Sequence, residues 1–131
     1  MTTGYSVALR TAQLDPITTA VGNAGKLQIY DGTRPATGGA ATTKLAEFTL
    51  GSPFAPGAAA SVLSPTLPGS TTGLAGSTAT WFRVTTSGGT QVIDGSVSAS
   101  GGGGDLQLNT TTISIGLTIT VSSWTITRGN A

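Results

Sequence analysis

The 131-residue chain is long enough for one domain built around one hydrophobic core. Charged residues make up 8% of it and the net charge is +1, whereas a typical soluble domain carries roughly 25% charged residues. His and Cys are both absent, which excludes the commonest general base, nucleophiles activated by His, and metal sites built from Cys and His.

The scarcity of charge favours a protein that packs against other proteins, because the centre of an interface is depleted of Lys, Glu and Asp. The alternative is a domain without such a partner, which is kept in solution by its many Thr and Ser hydroxyl groups. The basic residues are scattered along the chain, so we expect no nucleic-acid partner. No segment approaches membrane-spanning length, and the start of the chain lacks the features of a signal peptide, so we expect no membrane partner.

Residues 1–25 are predicted to form an N-terminal arm or helix. Apolar residues recur there at a spacing that places them on one helical face: Leu9, Leu14, Ile17 and Val21. Pro suits the first turn of a helix better than its interior, so we predict that the regular helix begins at Pro16 with Asp15 as its cap. The residues before Asp15 would then form an arm.

Residues 26–131 are predicted to form a single β domain, because from Lys26 onward apolar residues alternate with a period of two. Asp31-Gly32 predicts a turn, and Ser87-Gly88-Gly89 predicts a β-hairpin. The predicted strands lie at about 26–30, 46–50, 61–63, 80–86, 90–97, 106–109, 113–121 and 124–126.

Three details of the β domain are also predicted. The glycine run 101–104 indicates a flexible hinge. Ile113 to Val121 form one continuous strand, with Ile115 and Leu117 on its core face. The alternation changes phase before Trp124, which predicts a bulge or sheet corner near Ser122-Ser123. Together these features favour an all-β fold, an antiparallel β-sandwich or a jelly-roll-like barrel, with one short N-terminal helix or arm.

The acidic residues give little indication of catalysis. Asp31 and Asp94 each precede a Gly, as turn-forming Asp residues do, and Glu47 is expected to face solvent from a strand. A glycosidase would need a pair of carboxylates and an aromatic platform, yet aromatic residues are only 5% of the chain. We therefore expect no enzymatic activity, no cofactor and no metal.

The candidate interface residues are chosen for exposure and chemistry. Trp81 alternates out of phase with the core residue Phe82 and lies next to Arg83, and Trp and Arg are enriched in interface hot spots. The Pro- and Gly-rich connection 51–77 is either a binding loop or an ordinary surface loop. The full set of candidates is Trp81, Arg83, Arg34, Pro53 and Phe54.

The chain also resembles a family of small, uncharacterised structural proteins of tailed bacteriophages and prophages. The resemblance spans about Leu9 to Asn130, nearly the whole chain, and none of its motifs encodes a reaction. The motifs that carry it are Leu9-Arg10, Leu14-Asp15, Lys26-Leu27-Gln28-Ile29-Tyr30, Gly32-Thr33-Arg34-Pro35, Leu45-Ala46-Glu47, Trp81-Phe82-Arg83, Val92-Ile93-Asp94-Gly95-Ser96-Val97, Asp105-Leu106-Gln107-Leu108-Asn109 and Gly129-Asn130.

The resemblance implies a component of the virion and provides no catalytic residues. Decoration, or cement, proteins of phage heads are often small, β-rich and trimeric. We therefore expect a homotrimer on the outer surface of the capsid that binds the major capsid protein through its loops and N-terminal segment. The alternative is a tail, baseplate or fibre-associated subunit, which includes an adhesion module that recognises a host glycan or protein.

Overall fold

The computed structural model describes residues 4–127 of the chain. Arg128 and the Gly129-Asn130 motif of the family resemblance lie outside them. The helix is α1 (Val7–Val21), and the strands are β1 (Lys26–Tyr30), β2 (Lys44–Thr49), β3 (Val62–Leu63), β4 (Thr71–Thr72), β5 (Ser77–Thr78), β6 (Trp81–Thr85), β7 (Gln91–Ala99), β8 (Leu106–Leu108), β9 (Thr112–Ile113), β10 (Thr118–Ile119), β11 (Val121–Trp124) and β12 (Ile126–Thr127).

The main element is a six-stranded sheet in the order β11-β8-β7-β6-β1-β2. The strands outside this sheet form three two-stranded ribbons, β10-β4, β12-β3 and β5-β9, which we call together the ribbon layer. Ribbon residues such as Leu63, Ile113 and Ile119 share one buried core with Leu27 and Phe82 of the sheet. The predicted all-β, sandwich-like fold with one N-terminal helix is confirmed.

The centre of the core is an aromatic cluster around Trp124. Its ring packs edge-on against Phe54 at 5.3 Å and against Phe82 at 5.7 Å between ring centroids. Gly95, which lies opposite Phe82 on the neighbouring strand, leaves room for the Phe82 ring, since a Cβ at this position would meet the ring at 2.5 Å. The cluster therefore connects the sheet to the long connection that contains Phe54.

The helix begins earlier than predicted. α1 starts at Val7, where the Ser6 hydroxyl accepts a hydrogen bond from Leu9 N at 3.1 Å, and Pro16 lies inside it. Pro16 removes one backbone donor from the helix, but buried Leu14 on one side of it and Val21 on the other anchor both halves to the core. The prediction that Asp15 caps a helix beginning at Pro16 is therefore wrong.

The predicted continuous strand from Ile113 to Val121 is also wrong. Leu117 N donates to Ser114 O at 3.1 Å, and Gly116 adopts φ +81°, so a turn separates β9 from β10. A positive φ at the third position of such a turn suits Gly. As a result Ile115 is 78% exposed and not in the core.

Two irregularities in the strand pairing agree with the sequence. The register of β11 against β8 shifts between Val121 and Ser123, which confirms the bulge predicted at Ser122-Ser123. The register of β7 against β6 also shifts, because Ile93 pairs with Val84 whereas Val92 has no direct partner on β6. The two adjacent apolar residues of β7 are accommodated by this bulge.

The glycine run 101–104, predicted as a flexible hinge, forms a short return between two strands, and two of its residues are closely packed. β7 and β8 pair in parallel, with Val97 opposite Leu106, whereas parallel neighbours usually need a connection of about a dozen residues or more. A Cβ on Gly104 would meet Ser98 N at 2.7 Å, and a Cβ on Gly102 would meet the Ser98 side chain at 2.8 Å. The absence of a Cβ at Gly102 and Gly104 therefore allows so short a return.

We predict that Gly104→Ala lowers the free energy of unfolding by about 1–3 kcal/mol, because the added methyl group has to displace backbone atoms. Gly57→Ala is the matched control, since a Cβ at Gly57 meets nothing within 4 Å, and its effect should stay within about 0.5 kcal/mol. Urea denaturation followed by circular dichroism measures both values. Equal stability of the two variants would contradict the proposed close packing.

Candidate interaction surface

The outer face of the six-stranded sheet, opposite the main core, is covered by residues 31–43, which we call the covering loop. Trp81 lies beneath this loop and is 1% exposed. Its ring stacks on Tyr30 at 4.5 Å between centroids, and its Nε1 lies 3.0 Å from both the Asp31 carbonyl and the Thr42 hydroxyl. The sheet therefore buries side chains on both faces.

An ion pair joins the sheet to the covering loop. Arg83 Nε donates to Asp94 Oδ1 at 2.8 Å and Nη2 donates to Asp94 Oδ2 at 3.0 Å. The covering loop forms a hydrogen bond with each partner of the pair: the Gly39 carbonyl accepts from Arg83 at 2.8 Å, and Gly38 N donates to Asp94 at 2.9 Å. The guanidinium also lies 5.2 Å from the centroid of the Trp81 ring.

The pKa values follow from this geometry. Burial alone would raise the pKa of Asp94, but the hydrogen bonds from Arg83 and Gly38 outweigh it and place the pKa below its ordinary value. The hydrogen bond to Asp94 raises the pKa of Arg83. Asp94 lies inside β7, so the prediction that it forms a turn is wrong: the Gly after it accommodates Phe82 and not a turn.

A second, more exposed polar group lies on the same face. Glu47 accepts hydrogen bonds from Lys44 at 2.9 Å and from Gln28 at 3.0 Å, and the Tyr30 hydroxyl donates to Gln28. The bonds from Lys44 and Gln28 lower the pKa of Glu47. Because the ion pair between Lys44 and Glu47 is half-exposed, it contributes less to stability than the buried pair of Arg83 and Asp94.

We predict that Asp94→Asn destabilises the protein by about 3–5 kcal/mol at neutral pH, because it leaves the buried guanidinium of Arg83 without its counter-charge. Since folding lowers the pKa of Asp94, the pair stabilises the fold above the unfolded pKa, and this contribution is lost as the pH falls through the folded pKa. The Tm of the wild type should therefore fall more steeply than that of the variant below about pH 4.

Glu47→Gln is the control for this prediction, and its cost should stay below about 1 kcal/mol because the carboxylate is half-exposed. Thermal melts of the three proteins at neutral and acidic pH measure the effect. An Asp94→Asn variant that melts at the wild-type temperature would contradict a structural role for the pair.

The structure divides the sequence-predicted interface residues into two groups. Trp81, Arg83 and Phe54 are buried within the chain, which removes them from the exposed surface. Arg34, in the covering loop, and Pro53, in the 51–77 connection, are exposed. Only these two remain accessible to a partner, and they lie in different loops.

We predict that Trp81→Ala lowers the free energy of unfolding by about 3–5 kcal/mol, the usual cost of truncating a buried aromatic side chain. Arg34→Ala is the control, because Arg34 is exposed and its removal should change stability by no more than about 0.5 kcal/mol. Guanidinium denaturation followed by far-UV circular dichroism gives both values. A Trp81→Ala variant of wild-type stability would mean that the covering loop does not bury this residue.

The ribbon layer has no charged residue in any of its strands. Residues 48–82 and 106–127 contain no Asp, Glu, Lys or Arg, and all the ribbon strands lie in these two segments. At one end of the layer Gly73 N donates to Leu117 O at 2.9 Å, and Gly116 N donates to Gly73 O at 3.0 Å. These bonds hold together two turns that expose Leu74, Ile115 and Leu117, which we call the apolar tip.

Sequence reasoning missed the apolar tip because it assigned Ile115 and Leu117 to the core. Gly116 between them was the available signal, since a Gly inside a strand pattern often marks a bend. The partner turn was hidden as well. A Cβ on Gly73 would collide with the carbonyl oxygen of Ser114, so Gly at this position lets the two turns approach closely.

Two clefts lie between the sheet and the ribbon layer, one of about 300 Å³ between β2 and β4 and one of about 220 Å³ between β12 and the carboxylates of Asp94 and Asp105. In the second cleft Asp94 is engaged by Arg83, and Asp105 accepts hydrogen bonds from Ser96. Within residues 4–127, no group of three acidic residues could hold a metal ion. The helix in this part of the chain is too short to cross a membrane.

Comparison of the chain with protein-family models, with curated proteins and with solved structures finds no significant match.

Proposed function

We propose that this protein is a non-enzymatic structural component of a tailed bacteriophage particle. In this proposal it decorates the outer surface of the capsid and stabilises the head by binding the major capsid protein. The family resemblance of the sequence motifs supports the phage assignment. The observation that carries the docking role is the uncharged ribbon layer with its exposed apolar tip.

The ribbon layer has the composition of an interface. The centre of a protein–protein interface is depleted of charged residues and is more apolar than its rim. Ile115 and Leu74 are 78% and 52% exposed, so burial against a partner would give each of them a corresponding part of the roughly 1.5–3 kcal/mol that a fully exposed aliphatic side chain gains. The backbone hydrogen bonds between their two turns fix the backbone of the apolar tip before binding, which reduces the entropy lost on docking.

Two ion pairs lie on the outer face of the sheet and not in the ribbon strands. Arg83 and Asp94 neutralise each other beneath the covering loop, and Lys44 pairs with Glu47 on the outer face. A copy that docks through its ribbon layer would thus bring no charge from that layer into the interface. We propose that capsid-bound copies associate as a homotrimer, the arrangement expected from the resemblance.

We predict that the purified protein binds bare phage heads to saturation at a fixed ratio to capsid subunits and raises the temperature at which they release DNA. A ligand that binds only the assembled shell stabilises it by about 2.7 kcal/mol per site at a hundredfold excess over Kd. Ile115→Ser should weaken binding by roughly tenfold or more, since it removes apolar burial. Co-sedimentation with heads measures binding, and the fluorescence of a DNA-binding dye during heating measures the temperature of DNA release.

Leu9→Ser is the matched control, because Leu9 is a large exposed apolar residue on α1 and not on the ribbon layer. Both variants should keep the wild-type circular dichroism spectrum. Loss of binding in Leu9→Ser alone would move the docking surface to the helix. If the wild type does not bind heads and co-purifies with tails, the tail or baseplate alternative replaces the head assignment.

A further inference from the structure

β2 is the edge strand of the six-stranded sheet, and one of its sides has no neighbouring strand in the sheet. The orientation of its backbone follows from one hydrogen bond and from the register of β2 against β1. Leu50 N donates to Gly25 O at 2.8 Å, so Leu50 faces β1, and Phe48, two residues before it, faces β1 as well. Glu47 and Thr49, which alternate with these residues along the strand, direct their N–H and C=O groups away from β1.

These outward groups have no partner within residues 4–127. Farther along the same edge the Leu45 carbonyl accepts a hydrogen bond from Leu74 N at 2.7 Å, but no hydrogen bond reaches the outward backbone of Glu47 or Thr49. The cleft of about 300 Å³ opens there, between residues 47–49 and residues 69–71. Unpaired backbone groups along a strand edge are a template for another extended chain.

We propose that a second copy of this chain occupies the edge, so that the β2 strands of two copies pair antiparallel about a two-fold axis at Phe48. Glu47 of each copy then lies opposite the partner subunit's Thr49. The N–H of each of these residues donates to the C=O of the other across the axis, and the two sheets become continuous.

Charge complementarity selects this register. Lys26 lies beside Thr49 on the same face, and its Nζ donates to Thr49 Oγ1 at 3.0 Å. Pairing about Phe48 therefore brings each Glu47 carboxylate next to the partner subunit's Lys26. The neighbouring register, centred on Glu47, would place two Glu47 side chains directly opposite each other, and like charges in that position are destabilising. It would also require the Leu45 edge that Leu74 already occupies.

This inference does not depend on the proposed virion role, because it rests on the unpaired backbone of β2 and not on the apolar tip, although β4 of the ribbon layer lines one side of the cleft. The decisive variant is Thr49→Pro, which removes an N–H that points away from β1. Pro is tolerated on an edge strand when its missing N–H faces outward. Thr49→Val is the matched control, because it removes the hydroxyl but keeps the N–H.

Sedimentation velocity of the isolated protein, from low to high micromolar concentration, tests the pairing. We expect the wild type and Thr49→Val to form dimers, and Thr49→Pro to associate at least about tenfold more weakly, because it loses a hydrogen bond on each side of the axis. In wild-type protein, hydrogen exchange at the Glu47 and Thr49 amides should slow as concentration rises, whereas exchange at Gly57 should not change.

A charge reversal gives a second test that does not introduce Pro. Glu47→Lys should weaken the dimer by placing its new positive charge next to the partner subunit's Lys26, and the double variant Lys26→Glu/Glu47→Lys should restore it. The inference is overturned if the wild type stays monomeric, or if Thr49→Pro dimerises like the wild type. A trimer that none of these variants changes would also overturn it. Binding of the same variants to phage heads is scored separately, so failure of one proposal is distinguishable from failure of the other.

Discussion

The buried ion pair between Arg83 and Asp94 is the constraint on which the outer half of the structure depends. A buried charge is tolerated only when it is paired and hydrogen-bonded, and here Gly38 and Gly39 of the covering loop complete the hydrogen bonds of both partners. The loop is thereby held against the sheet, and Trp81 is sealed beneath it. Antiparallel sheets commonly expose one face to solvent, whereas this sheet buries side chains on both faces.

Much of the fold was predictable because its signals are local. The alternation of apolar residues identified β1, the hairpin of β6 and β7, and even the bulge before Trp124. The errors arose where a distant contact overrides a local pattern. Pro16 stays inside α1 because the core anchors Leu14 and Val21, and the alternation through Ile115 is interrupted by a turn that packs against Gly73.

The candidate site was less predictable, for a related reason. Alternation correctly placed Trp81 on the face opposite Phe82, but a strand pattern cannot show that a loop some forty residues earlier covers that face. The burial of Phe54 depends likewise on Trp124, at the other end of the chain. The scarcity of charged residues was visible in the composition. That the few charged residues lie away from the ribbon strands becomes clear only when the two uncharged segments fold together.

This segregation of charge would give an assembled particle an electrical character of its own. If the ribbon layers face the shell, the covering loops face the medium, and each copy displays Arg34 with the half-exposed pair of Lys44 and Glu47. The electrophoretic mobility of such a particle, and its adsorption to charged minerals or cell envelopes, would then be set by the coat of small subunits and not by the shell beneath it.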